Sequence, residues 1–163
     1  IRSGFMKLFI KQEVFTLRDR FYVKDESGAD KYYVEGEFLS FGKRLHVYDM
    51  NGMEVVYIEQ QIWNLFPTYD VYVKGVLKCR VCQKLNWTKR VFEVQGLDWV
   101  IEGSFWLHDY QIVKGNSIIA TISKEWFTWG DSYMMDISNH VNELDALAMI
   151  LAVDCASESN NNH

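Results

Sequence analysis

The sequence predicts a mainly β domain, about ten or twelve short antiparallel strands closed into a barrel around one apolar helix near the C-terminus. Three observations carry this. Four segments repeat a strand–turn–strand plan with glycine at the turn, and Tyr, Phe, Trp and Val are abundant. The apolar run that starts at Leu144 is greasy on every side.

The hairpins come first. Phe21–Gly28 leads into Lys31–Glu35, Leu45–Gly52 into Val55–Gln60, Val71–Gly75 into Leu77–Leu85, and Tyr110–Gly115 into Ile118–Trp126. Glycine beside Asp, Asn or Lys supplies the positive φ that tight turns need. Alternation then assigns faces. In the third hairpin Leu77, Cys79, Val81 and Leu85 are expected inside, with Lys78, Arg80, Cys82 and Lys84 outside. In the fourth, Ile118, Ala120 and Ile122 form the matching inward set. A longer repetition overlies this: Val34-Glu-Gly36 returns as Ile101-Glu-Gly103, and 58–73 aligns with 122–137 without a gap, setting Tyr69 on Tyr133. It predicts two similar β halves pairing into one sheet system.

The helix follows from composition. Ala, Leu and Met dominate after Leu144, Asn142 is a good N-cap, and Asp145 suits the first turn. Residues 146–153 are apolar all round, so lipid or protein must surround them. A helix of ~12–14 residues reaches only ~18–21 Å, short of a ~30 Å hydrocarbon layer. Protein is the better wrapping. A closed sheet has no edges and needs its interior filled, and the helix fills it.

The 163 residues suit one domain, expected over 6–156. Residues 1–5, ahead of Met6, read as a cloning remnant, and 157–163 as a flexible tail. No run is long enough for a membrane span. Three cysteines are too few for a disulfide scaffold and fit a reducing, cytoplasmic setting. A net charge of −5 argues against nucleic acid as a partner.

The order of motifs along the chain resembles the LURP-one-related family, in the superfamily that also holds tubby C-terminal domains and phospholipid scramblases. The carriers are Lys11-Gln-Glu-Val-Phe-Thr-Leu-Arg-Asp-Arg-Phe-Tyr-Val23, the Asp49-Met-Asn-Gly52 turn, Ile58-Glu-Gln-Gln61 and Pro67-Thr-Tyr-Asp-Val-Tyr72. Val100-Ile-Glu-Gly103, Ile122-Ser-Lys-Glu-Trp126 and the apolar helix ending in Asp154 complete the series. The resemblance implies a tubby-like barrel of about twelve antiparallel strands threaded by a central C-terminal helix. Tubby domains bind phosphoinositides and scramblases are linked to lipid movement; neither property passes automatically to another member.

Candidate chemistry is sparse. Cys79-Arg-Val-Cys82 lacks the second ligand pair of a zinc site, and residues i and i+3 on a strand face opposite ways. His46, His108, His140 and His163 show no ligand spacing. Ser104, His108 and Asp109 lie close in sequence without a nucleophile elbow. Glu35 and Glu102 occupy equivalent places in the two halves, and Asp49-Met-Asn-Gly52 lacks the distal Glu of a calcium loop. The tryptophans Trp63, Trp87, Trp99, Trp106, Trp126 and Trp129 are expected in the core or at the barrel rim. No catalytic residue, metal or cofactor is expected.

One surface feature stands out. Residues 71–92 contain Lys74, Lys78, Arg80, Lys84, Lys89 and Arg90 and no acid. Alternation puts Lys78, Arg80 and Lys84 on one outward face, spaced to meet phosphates. Each cation near an anionic membrane is worth about 1 kcal/mol. The functional expectation is a non-catalytic intracellular binding module contacting phospholipid or phosphoinositide head groups through these six residues, cytoplasmic and peripheral at the membrane. The alternatives are a carrier of a small apolar ligand and an enzyme of unrecognised type.

Overall fold

A computed structural model describes residues 4–11, 20–39, 41–85, 90–127 and 130–158. Its twelve strands are β1 (Phe5–Lys11), β2 (Arg20–Lys24), β3 (Asp30–Leu39), β4 (Gly42–Asp49), β5 (Glu54–Gln61), β6 (Thr68–Val73), β7 (Val76–Leu85), β8 (Arg90–Gln95), β9 (Val100–Ser104), β10 (Asp109–Lys114), β11 (Ser117–Phe127) and β12 (Gly130–Ser138). A helix, α1 (Glu143–Glu158), follows. Each strand pairs antiparallel with its sequence neighbour except across β8 and β9, and β12 returns to β1. β8 and β9 lie against each other, so the barrel is nearly closed.

The helix is the plug that the composition demands. Every residue from Ala146 to Val153 is at most 1% exposed, and α1 packs against β5, β6, β7 and β12. Strand residues Leu8, Val34, Leu45, Ile58, Val81 and Ile137 close around it. Asn142 Oδ1 caps the first turn by accepting from the Leu144 and Asp145 amides at 2.9 and 3.3 Å. No described helix is long and apolar enough to cross a membrane.

All four hairpins carry the same irregularity, a β-bulge that leaves one residue of the second strand unopposed: Lys31, Val55, Lys78 and Ile119. A bulge sends the residues beyond it to the other face. Leu77 and Ile118, expected inside, are therefore 52% and 43% exposed, while the unopposed Ile119 is buried. Leu85 is also exposed, at its strand's end; Cys79, Val81, Ala120 and Ile122 are buried as expected.

The strand register also aligns the two halves. Across the first half, outward residues Glu35, His46, Tyr57 and Tyr72 stand directly opposite one another in turn. The second half repeats this row as Glu102, Gln111, Thr121 and Asp136. Glu35 and Glu102 thus sit on opposite arcs of the barrel, six strands apart in the sheet order, too far to act as a carboxylate pair.

Candidate functional site

The meander gives the barrel two distinct ends. Among the described residues, turns after even-numbered strands gather where α1 begins, and those after β3, β5 and β9 gather where it ends. β7, ten residues long, runs between them for about 33 Å.

That length divides the basic segment. Lys74 lies in the turn before β7, at the end where α1 begins, while Lys84 lies at the far end of the strand. Lys89 falls outside the described residues, and Arg90 opens β8. The six residues therefore do not form one patch. The cations between are engaged by acids. Lys78, displaced by its bulge, reaches Asp145 of the helix at 3.7 Å. Arg80 donates to Asp70 through Nε at 2.6 Å and through Nη2 at 3.3 Å, and Gln61 also donates to that buried carboxylate. Lys84 pairs with Glu93. The acid-free window of 71–92 is bounded on either side by Asp70 and Glu93, which is why composition alone misreads its charge.

The end where α1 begins is closed by polar contacts. Lys31 Nζ and the Tyr32 hydroxyl hold the two Glu143 carboxylate oxygens at 2.6 and 2.7 Å. Asp25 Oδ1 accepts from the Ser27 and Ala29 amides, and Asp49 Oδ1 from those of Asn51 and Met53, shaping turns that finish on Gly28 and Gly52 with φ of 83° and 81°.

The opposite end carries the most exposed apolar side chains, although Met50, Met53, Val76 and Leu77 are also exposed where α1 begins. Trp63 and Leu65, in the loop between β5 and β6, are 93% and 91% exposed, and Phe41, in the turn before β4, is 72% exposed. The two turns touch, since a Cβ added to Gly42 would stand 2.9 Å from Ile62 Cγ2. Leu85, also exposed, ends β7 at the same end. Trp63 thus stands on the barrel rim, one of the two places expected for the tryptophans, and projects into solvent there, while Trp99 is buried. Trp87 and Trp129 lie outside the described residues.

Inside that end lies a small polar group. His108, in the left-handed region at φ 51°, lies against Tyr133 with ring centroids 4.1 Å apart and planes tilted by 33°, and places Nε2 3.5 Å from Asp154 Oδ1. Burial pushes the His108 imidazole down to about 4, so the ring is neutral at pH 7. Nearby, the Tyr69 hydroxyl donates to the Cys155 carbonyl at 3.2 Å. The ring contact and the approach to Asp154 of the helix make this group a latch on the end of the plug. Asp154 was legible as the one charged residue in 146–156, but its partner was not.

Cys79 is buried, with its thiol pushed up to about 12 by burial, then by Asp145 and Asp70. It stays protonated and unreactive. Among the described residues no His, Cys, Asp or Glu group is arranged to hold a metal.

Three comparisons bear on this architecture. A family model described as LURP-one-related matches residues 6–154. The uncharacterized protein YxjI of Bacillus subtilis (strain 168) is 34% identical over 149 residues, covering 91% of this chain and 92% of that protein. The X-ray structure of a protein from Arabidopsis thaliana matches with a TM-score of 0.65 at 16% identity, covering 91% of this chain and 89% of that one. This last likeness concerns the fold, the tubby-like barrel that the motif order implies.

Proposed function

This chain belongs to the LURP-one-related family, and on that premise we propose that it is a non-catalytic binding module whose apolar barrel end contacts anionic phospholipid head groups. The observation that carries the reading is the projection of Trp63 and Leu65 almost wholly into solvent beside Phe41. Exposed apolar groups gathered on adjacent turns mark a contact surface. Tryptophan in particular favours the membrane–water boundary, where its ring is apolar and its N–H finds polar groups.

Magnitudes support a reversible contact. Burying Trp63 and Leu65 is worth about 1.5–3 kcal/mol each, and one cation near the surface adds about 1 kcal/mol. A total of about 4–7 kcal/mol corresponds to dissociation constants from about 1 mM to 10 μM. Lys89 and Arg90 follow Leu85 in sequence, Lys89 outside the described residues and Arg90 as the first residue of β8. Lys74, at the far end, has no part in it. The filled interior weighs against the carrier alternative, because residues 146–153 occupy the space an apolar ligand would need.

Flotation with vesicles of phosphatidylserine and phosphatidylcholine tests the reading. Binding is expected at low salt and to weaken as salt rises. Trp63→Ser with Leu65→Ser should reduce it about a hundredfold or more, and Lys74→Glu should leave it unchanged. Undiminished binding by the double variant, or no binding at low salt, sinks the proposal. Reversing Lys78, Arg80 and Lys84 is a poorer test, since it also breaks their pairs with Asp145, Asp70 and Glu93.

A further inference from the structure

We propose that the outer face of β2–β6 docks an extended arginine-rich segment of a partner protein on a ladder of aromatic rings. The ladder runs across five adjacent strands through Tyr22, Tyr33, Tyr48, His46, Tyr57 and Tyr72. Successive ring centroids lie 5.2, 6.2, 6.2, 5.1 and 5.8 Å apart. All six residues occupy outward positions of their strands, none is buried, and Tyr22 is 45% exposed.

The simplest reading of such a ladder is sheet stabilisation by cross-strand pairs. The second half of the barrel is an internal control for that reading. Its equivalent row is Glu102, Gln111, Thr121 and Asp136, with Thr121 and Asp136 where the first half has Tyr57 and Tyr72. The same sheet therefore closes without rings. Over Glu102, Gln111 and Thr121 it leaves an open hollow of about 450 Å³. Where the second half has an open hollow, the first half presents an aromatic surface.

Charge selects the occupant. Glu54 Oε2 stands 2.6 Å from His46 Nδ1, and Glu37 Oε2 stands 3.4 Å from Nε2, so the ring at the centre of the ladder is held between two carboxylates. Glu35 and Glu59 flank the same rows, each beside one arginine, Arg20 at 2.9 Å and Arg44 at 3.8 Å. The carboxylates here outnumber the arginines. Burial, then Glu54, Glu35 and Glu37, raise the Tyr48 hydroxyl; burial, then Glu59, raise that of Tyr57, opposed by Arg44, with Glu54 and Glu37 adding smaller upward contributions. Aromatic faces in a negative field attract cations, and guanidinium groups stack flat on them.

Geometry selects the form. Alternate side chains of an extended chain repeat every ~6.6 Å, close to the step between rings, and five strands span about 19 Å. An Arg-X-Arg-X-Arg segment laid across the strands matches this spacing. A quaternary ammonium head group needs a cage, whereas this surface is flat, and the carboxylates repel an anionic membrane.

The test is an amide-resolved NMR titration of the full chain with (Arg-Thr)4, alongside (Glu-Thr)4, tetramethylammonium chloride and anionic vesicles. The expected result is sub-millimolar binding of (Arg-Thr)4 at low salt, with shifts confined to outward residues of β2–β6. Tyr57→Thr, which installs the residue found at the equivalent Thr121, should weaken it about fivefold. Glu54→Gln should weaken it about threefold and serves if the tyrosine variant folds poorly. The proposal is overturned by shifts on another face, by equal binding of (Glu-Thr)4, by tetramethylammonium or vesicles reproducing the shifts, or by no binding up to about 5 mM peptide.

Discussion

The two ends of the barrel solve the same problem, how to finish six pairs of strands, in opposite ways. Where α1 begins, turns are short and their polar groups are satisfied inside the molecule: Asp25 and Asp49 bind their own turn amides, and Glu143 is gripped by Lys31 and Tyr32. Where α1 ends, the loop from Ile62 to Pro67 sets Trp63 and Leu65 in solvent, and the Phe41 side chain joins them. Both ends expose apolar groups, and where α1 begins Met50, Met53, Val76 and Leu77 are 50–66% exposed, but only the other end carries side chains as fully exposed as Trp63 and Leu65, at 93% and 91%.

The largest expected effect comes from the element both ends share. Leu147→Ala, a cavity at a fully buried position of the plug, should cost about 2–5 kcal/mol of unfolding free energy by urea titration. A cost below about 1 kcal/mol would mean that the strands do not grip the helix. Next is the closed end. Glu143→Ala removes the shared partner of Lys31 and Tyr32 and should cost about 1.5–3 kcal/mol.

The apolar end has its own signature, in pH. Burial lowers the folded pKa of His108 to about 4, against 6.5 unfolded. Its contribution is therefore present above pH 6.5 and is lost as pH falls toward 4. Between pH 7 and 5 the loss should be about 1–2 kcal/mol, moderated by the adjacent Asp154 carboxylate. His108→Asn should flatten urea midpoints across that window; an unchanged slope would place the sensitivity elsewhere. Smallest of all, Trp63→Ser and Leu65→Ser should move stability by under about 0.5 kcal/mol, since neither side chain packs. A larger loss would show that this loop serves the fold rather than a partner.

Much of the architecture was legible because its signals are local. Turn glycines, alternation and an all-apolar run need only neighbours in sequence, so the four hairpins, the capped helix at Asn142 and the filled interior follow from them. The bulges were not legible. One unopposed residue changes no composition, yet it moved Leu77 and Ile118 outward and turned Lys78 toward the helix. The pairing of Lys78, Arg80 and Lys84 was hidden for a related reason, that their partners come from other elements. Asp70 and Glu93 lie on neighbouring strands and Asp145 some 60 residues downstream. Exposed loop residues such as Trp63 obey no period, and the tyrosine ladder becomes visible only once register sets Tyr57 against Tyr72.

The contrast between the ends is tested most directly by attaching an environment-sensitive fluorophore to a cysteine at each, Leu65→Cys at the apolar end and Met53→Cys at the closed one. Both parent residues are exposed and apolar, at 91% and 66%. On adding phosphatidylserine vesicles, the probe at 65 should shift to the blue and brighten while the probe at 53 stays in water. Equal responses at the two positions, or a response at 53 alone, would contradict the assignment of the binding surface to the apolar end.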